Sequence, residues 1–164
     1  MLICIVFFAF VFGLRAQQYA LFLSPSVNVG TETDGIFSVS SEFDNIMKSI
    51  PGVSNLEYKI DKTGETKLLE IRLLKSDNHF LIGLEVDEPE IVALGAHSEI
   101  TTHGCDGKCD SYSSFCEFVR KKGKIVGCKC LTTGCCIHSL TSSESVINKE
   151  NLSSYLNDNF LKTN

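Results

Sequence analysis

The alternation of apolar and polar side chains changes period several times along the chain, and each change predicts an element. Residues 19–23 (YALFL) have the length of a short strand, residues 25–34 read as a polar, glycine-containing loop, and 36–39 as a second short strand. From Ser41 the period becomes helical: Phe43, Ile46, Met47 and Ile50 recur at i, i+3, i+4 and i+7 and so share one face. Ser41 with Asp44 has the form of a capping box, and Pro51-Gly52 stops the helix. Beyond it the period drops to two. Leu56, Tyr58 and Ile60 alternate with Glu57, Lys59 and Asp61, and Leu69, Ile71 and Leu73 alternate with Glu70 and Arg72. Phe80, Ile82, Leu84 and Val86 share a face of a third strand. Turns at 62–65 and at Asp77-Asn78 join the three into an antiparallel meander. Pro89 then opens a short helix through Ile91, Val92 and Leu94.

These elements predict an α+β fold, in which a helix packs on an antiparallel three- to four-stranded meander over residues 17–100. A small disulfide-rich β-hairpin module follows over 101–138. A Ser/Thr-rich loop begins the remainder, 139–164, where Leu152, Tyr155, Leu156 and Phe160 recur at the spacing of a C-terminal helix that docks on the front domain. The segment Ile50-Pro51-Gly52-Val53 resembles the helix-to-strand turn of heavy-metal-associated domains, over some 40 residues. Where those domains carry Cys-x-x-Cys this chain reads Ser38-Val39-Ser40-Ser41, so the resemblance extends to packing and not to metal binding.

Residues 2–12 form one uninterrupted apolar run, followed by Gly13, Leu14, Arg15 and Ala16. The run falls short of the ~20 residues that span a bilayer and matches the core of a signal peptide, with cleavage after Ala16. The chain is therefore expected to be exported, with no membrane span. Charge divides unevenly behind the leader: residues 17–100 carry 14 acidic and 6 basic side chains, and residues 101–136 carry 3 and 6. The change of sign places a boundary near 98–104. Overall acidity, without an aromatic stacking platform, argues against nucleic acid as a partner.

Cysteine usage adds most to this picture. Of eight cysteines, Cys4 leaves with the leader, and Cys105, Cys109, Cys116, Cys128, Cys130, Cys135 and Cys136 crowd a segment with few apolar residues. In an exported chain that density implies disulfides. A zinc or thiolate cluster with His103 and His138 is the alternative, but Cys128-Lys129-Cys130 and the adjacent Cys135-Cys136 do not match the Cys-x2–4-Cys pairs of structural zinc sites. No metal or cofactor is expected. Seven is odd, which implies a disulfide-linked dimer, a bond to another protein, or a free thiol. Catalysis would need a reduced thiolate beside an imidazole, with Cys136 and His138 the nearest pair, and oxidation removes it. The chain reads as a non-enzyme.

Phe118 and Val119, then Ile125 and Val126, flank Lys121-Lys122-Gly123-Lys124 as a β-hairpin with a glycine-containing turn. A hairpin between one cysteine and a Cys-x-Cys pair resembles the major sheet of EGF-like modules. That resemblance implies bridges Cys105–Cys116, Cys109–Cys128, and Cys130 with Cys135 or Cys136. Only three residues separate Cys105 from Cys109, the loop after Cys130 is short, and no acidic calcium-binding consensus precedes Cys105.

Arg120, Lys121, Lys122 and Lys124 crowd the hairpin turn, with Lys129 nearby. Such a cluster suits an anionic partner, such as a sulfated glycan or an acidic protein receptor; the plain alternative is a solvated tip that protects a strand edge. Asn151-Leu152-Ser153 is an N-glycosylation acceptor in an exported chain. The expectation is a secreted interaction protein of the extracellular-matrix, defence or venom type, acting through its cysteine-rich end. A secreted signalling ligand or toxin, and a protease inhibitor presenting residues 131–134, are the alternatives.

Overall fold

The computed structural model describes residues 16–21, 23, 25–89, 100–109, 116–130, 134–142 and 147–162, with the backbone alone at 107–109, 134, 135 and 142. The leader and the helix expected after Pro89 lie outside the described residues, as do residues 131–133.

Strands dominate. β1 (Gln17–Leu21), β2 (Val27–Thr33) and β3 (Ile36–Val39) form an antiparallel sheet in chain order. α1 (Ser41–Lys48) leads into β4 (Val53–Asp61), β5 (Lys67–Lys75) and β6 (Asn78–Val86), the expected meander. β7 (Thr101–Cys109) and β10 (Gly134–Ser142) extend that meander into a five-stranded antiparallel sheet, ordered β10-β7-β6-β5-β4. Between them, β8 (Cys116–Lys121) and β9 (Lys124–Cys130) make a separate two-stranded hairpin, and α2 (Leu152–Phe160) closes the chain.

The expected α+β class is therefore corrected. The chain is mostly β, in three antiparallel sheets with two short helices among the described residues, rather than a helix packed on a meander. Three segments account for the difference, the first being residues 101–109, which form β7 of the large sheet in place of the start of a separate cysteine-rich module. Residues 25–34, read as a loop, contain β2, where Val27 and Val29 are fully buried on one face while Asn28 is exposed. Residues 139–142, read as the start of a Ser/Thr-rich loop, complete β10.

The core lies between the first sheet, the inner face of the five-stranded sheet and the helices. Tyr19, Leu21, Val27 and Val29 meet Leu69, Ile71, Leu73, Phe80, Ile82 and Leu84, with Phe43 and Met47 of α1 and Leu152, Leu156 and Phe160 of α2 in the same cluster. Burying an aromatic or aliphatic side chain of this kind contributes about 1.5–3 kcal/mol. Reciprocal backbone hydrogen bonds between Ala20 and Asp87, of 2.8 and 3.0 Å, tie β1 to the end of β6. Ser40, rather than Ser41, caps α1: its backbone is extended and its Oγ accepts the Phe43 amide at 3.0 Å. Asp44 is engaged elsewhere, accepting from Lys48 and from the Tyr58 hydroxyl at 3.0 Å.

Candidate functional site

Strand period places Leu68 and Glu70, Leu81 and Gly83, His103 and Cys105, and Cys136 and His138 together on the outer face of the five-stranded sheet. The β8–β9 hairpin lies on this face. Cys116, Phe118 and Arg120 are spaced by two in β8 and so project from one side of it. Cys116 is bonded to Cys136 of β10, Phe118 lies over Gly83 of β6, and Arg120 pairs with Asp61 of β4. β8 thus runs across the strands beneath it rather than along them. Cys128 of β9 adds a second bridge, to Cys105 of β7.

This connectivity, Cys105–Cys128 and Cys116–Cys136, is not the pairing implied by the EGF-like resemblance. Cys130 is also disulfide-bonded. It stands opposite Cys116 in the hairpin, and its sulfur lies 2.8 Å from that of Cys136. Cys109 and Cys135 belong to β7 and β10, and their side chains lie outside the described residues. Cys105 and Cys116 are almost fully buried with Leu81, against Phe118 and Cys128, forming a second, small core between hairpin and sheet. Each bridge closes a loop of about 20 residues, a constraint worth about 3 kcal/mol in the chain-entropy account.

Comparison of the chain with family models, curated proteins and solved structures finds no match. Its function must therefore be argued from this face alone.

The basic residues separate into two groups. Arg120 is not part of the tip. Two residues beyond Phe118 on the sheet-facing side of β8, its guanidinium points inward, where Nε and Nη2 donate to Asp61 Oδ2 at 3.0 and 2.5 Å and Nη1 donates to the Gly123 carbonyl at 3.2 Å. Burial pushes the Asp61 carboxyl up, but the Thr63 hydroxyl and amide, with Arg120, outweigh it and hold Asp61 below the usual carboxylate range. Lys124 lies 3.8 Å from Glu65, and Lys129 lies 3.7 Å from Glu117, both on the exposed side. Lys121 and Lys122 are exposed and make no ion pair with any described residue. The tip is a two-residue turn in which Lys122 and Gly123 both have positive φ, 50° and 77°. Glycine takes that conformation freely, whereas lysine is strained in it.

Beside the hairpin a cleft of ≈ 370 Å³ is lined by Glu65, Glu85, His103, Arg120, Lys124 and Leu140, among others. His103 is buried at its back, its ring edge-on to Phe118 and stacked on His138. Burial, then the neighbouring His138 and Arg120, push His103 down to about 4, and burial also lowers His138. Both rings are thus neutral near pH 7. In the sequence these histidines stand out only as adjuncts to the cysteines, because the strand pairing that joins residues 35 apart leaves no mark on local spacing.

Asn151 lies at the exposed start of α2, where its Oδ1 accepts the Asn148 amide at 2.8 Å. No helix among the described residues is long and apolar enough to cross a membrane.

Proposed function

We propose that the chain is a secreted, non-enzymatic interaction protein whose clamped hairpin presents Lys121 and Lys122 to a sulfated glycan. The carrying observation is that these two lysines are the basic residues of the tip left without an ion pair among the described residues, while Arg120 is committed to Asp61 beneath them. Two disulfides and that ion pair fix the hairpin, so little ordering entropy is lost when the tip meets a polyanion. Lys122 occupies a strained position that Gly or Asn would fill at lower energy, and a charged residue held there supports recognition over turn stability.

Heparin chromatography tests the reading. Replacing Lys121 and Lys122 with Ala should move elution to distinctly lower salt, and Lys129→Ala, whose charge is already shared with Glu117, should move it less. Lys122→Gly should raise thermal stability and weaken retention together. Elution of the double variant at the salt of the parent protein would overturn the glycan reading and favour a protein receptor.

A further inference from the structure

Two sulfurs suffice for a disulfide, yet three meet at the root of the hairpin. Cys116 opens β8 and Cys130 closes β9, and the hairpin register sets them directly opposite each other. Cys136 of β10 is bonded to Cys116, and its sulfur also lies 2.8 Å from that of Cys130. The three Sγ atoms all fall within 4.8 Å of one another. Cys130 carries a disulfide of its own, so none of the three begins as a thiol. We propose that this trio is a thiol–disulfide exchange site. A small monothiol of the glutathione class opens the bridge that Cys130 makes, and the bond to Cys136 then passes from Cys116 to Cys130.

The steps balance without an oxidant. The incoming thiolate bonds to the sulfur that Cys130 holds, and Cys130 leaves as a thiolate. That thiolate attacks Cys136 Sγ: the Cys130–Cys136 bond forms and the Cys116–Cys136 bond breaks. Cys116 departs with the electron pair and takes up the proton that the monothiol gave up. One thiol is consumed, one is released, and the number of disulfides is unchanged. The surroundings favour this direction. Cys130 and Cys136 are half-buried and open to a small thiol, whereas Cys116 is 2% exposed. Its released thiol stays in the small core beside Leu81 and Phe118, where it packs as a small apolar group. Apolar burial keeps such a thiol protonated and so slow to attack back. No second trio of this kind surrounds Cys105–Cys128 among the described residues. That bridge and the Arg120–Asp61 pair therefore hold the hairpin throughout, while its attachment to β10 moves from the first residue of β8 to the last of β9. The exchange does not depend on what the tip binds.

Incubating the full, oxidised protein with reduced glutathione, trapping thiols with N-ethylmaleimide at mildly acidic pH and mapping peptides without reduction tests the site. The expected map shows a Cys130–Cys136 bridge, alkylated Cys116 and about one glutathione held per chain, with Cys105–Cys128 intact. In Cys130→Ser, alkylation of Cys116 should slow by at least about tenfold, because a positioned intramolecular thiolate outpaces an external thiol. Cys116→Ser is a second arm that needs no added thiol. Cys136, left without its partner, should itself take Cys130, so the purified variant should already contain the Cys130–Cys136 bridge. Absence of that bridge from the treated parent or from Cys116→Ser, unchanged alkylation of Cys116 in Cys130→Ser, or opening of Cys105–Cys128 ahead of Cys116–Cys136 would each overturn the proposal.

Discussion

Arg120 of the hairpin and Asp61 at the end of β4 share a buried, doubly hydrogen-bonded ion pair, with side chains only 16% and 10% exposed. It is the far clamp of the hairpin, at the opposite end of β8 from Cys116. Breaking a buried pair on one side leaves a desolvated charge, which costs roughly 3–5 kcal/mol. Arg120→Met should lower the melting temperature markedly, as should Asp61→Leu. The double variant should recover much of the loss. Additive destabilisation in a double-mutant cycle would show that the two side chains act independently.

Glu70 gives a pH dependence of defined sign. Burial first, then the charge of Asp61, raise its carboxyl above the usual range, although Lys59, Arg72 and Arg120 pull the other way. The folded state then holds a proton at pH values where the unfolded chain has released it. Its contribution is most favourable in acid and is lost as pH rises from the unfolded value through the raised folded one. Glu70→Gln should raise stability at pH 7 by about 0.5–2 kcal/mol and flatten the rise in stability on acidification. Denaturant melts at pH 5 and pH 8 measure both.

Gly83 is where the hairpin rests on the sheet. A Cβ there would lie 2.9 Å from Phe118 Cε2 and 3.1 Å from Cζ, in a layer held by bridges on either side. Gly83→Ala should therefore cost about 1–3 kcal/mol by overpacking. Phe118→Leu should restore part of it, which thermal melts of the single and double variants report.

Replacing Cys105 and Cys128 together by Ala removes a bridge across 23 residues and opens the small core around Leu81. A loss of about 2–4 kcal/mol is expected in denaturant unfolding. The change should appear as faster proteolysis within the hairpin before the core strands are cut.

The meander, α1, the hairpin and α2 were legible because each carries its own period. β2 was missed because its buried positions are two valines and a tyrosine-facing glycine, too few apolar side chains to mark a strand. β7 and β10 were missed for a related reason: the positions that face the hairpin are the buried His103 and Cys105 and the half-buried Cys136 and His138, residues that read as chemistry rather than as core. One signal did exist. Leu68 and Leu81 sit on the nominally polar face of strands whose alternation is otherwise regular, and both are buried to 1%. Apolar residues on both faces of a strand mean that something covers each face. The basic cluster was legible as composition, but its division was not, since the partner of Arg120 lies 59 residues away in the chain.

The position at which the chain departs from the sheet has one more consequence. Cys109 and Gly134 stand opposite each other at the end of the β7–β10 ladder, so the chain leaves the sheet and re-enters it at adjacent points. The hairpin is an excursion, and the ladder it interrupts is already continuous without it. Framework and hairpin are thus separable: the excursion can be lengthened, shortened or exchanged while the register of the five strands is kept. Such an architecture can diversify its exposed tip as freely as a handle that takes different blades.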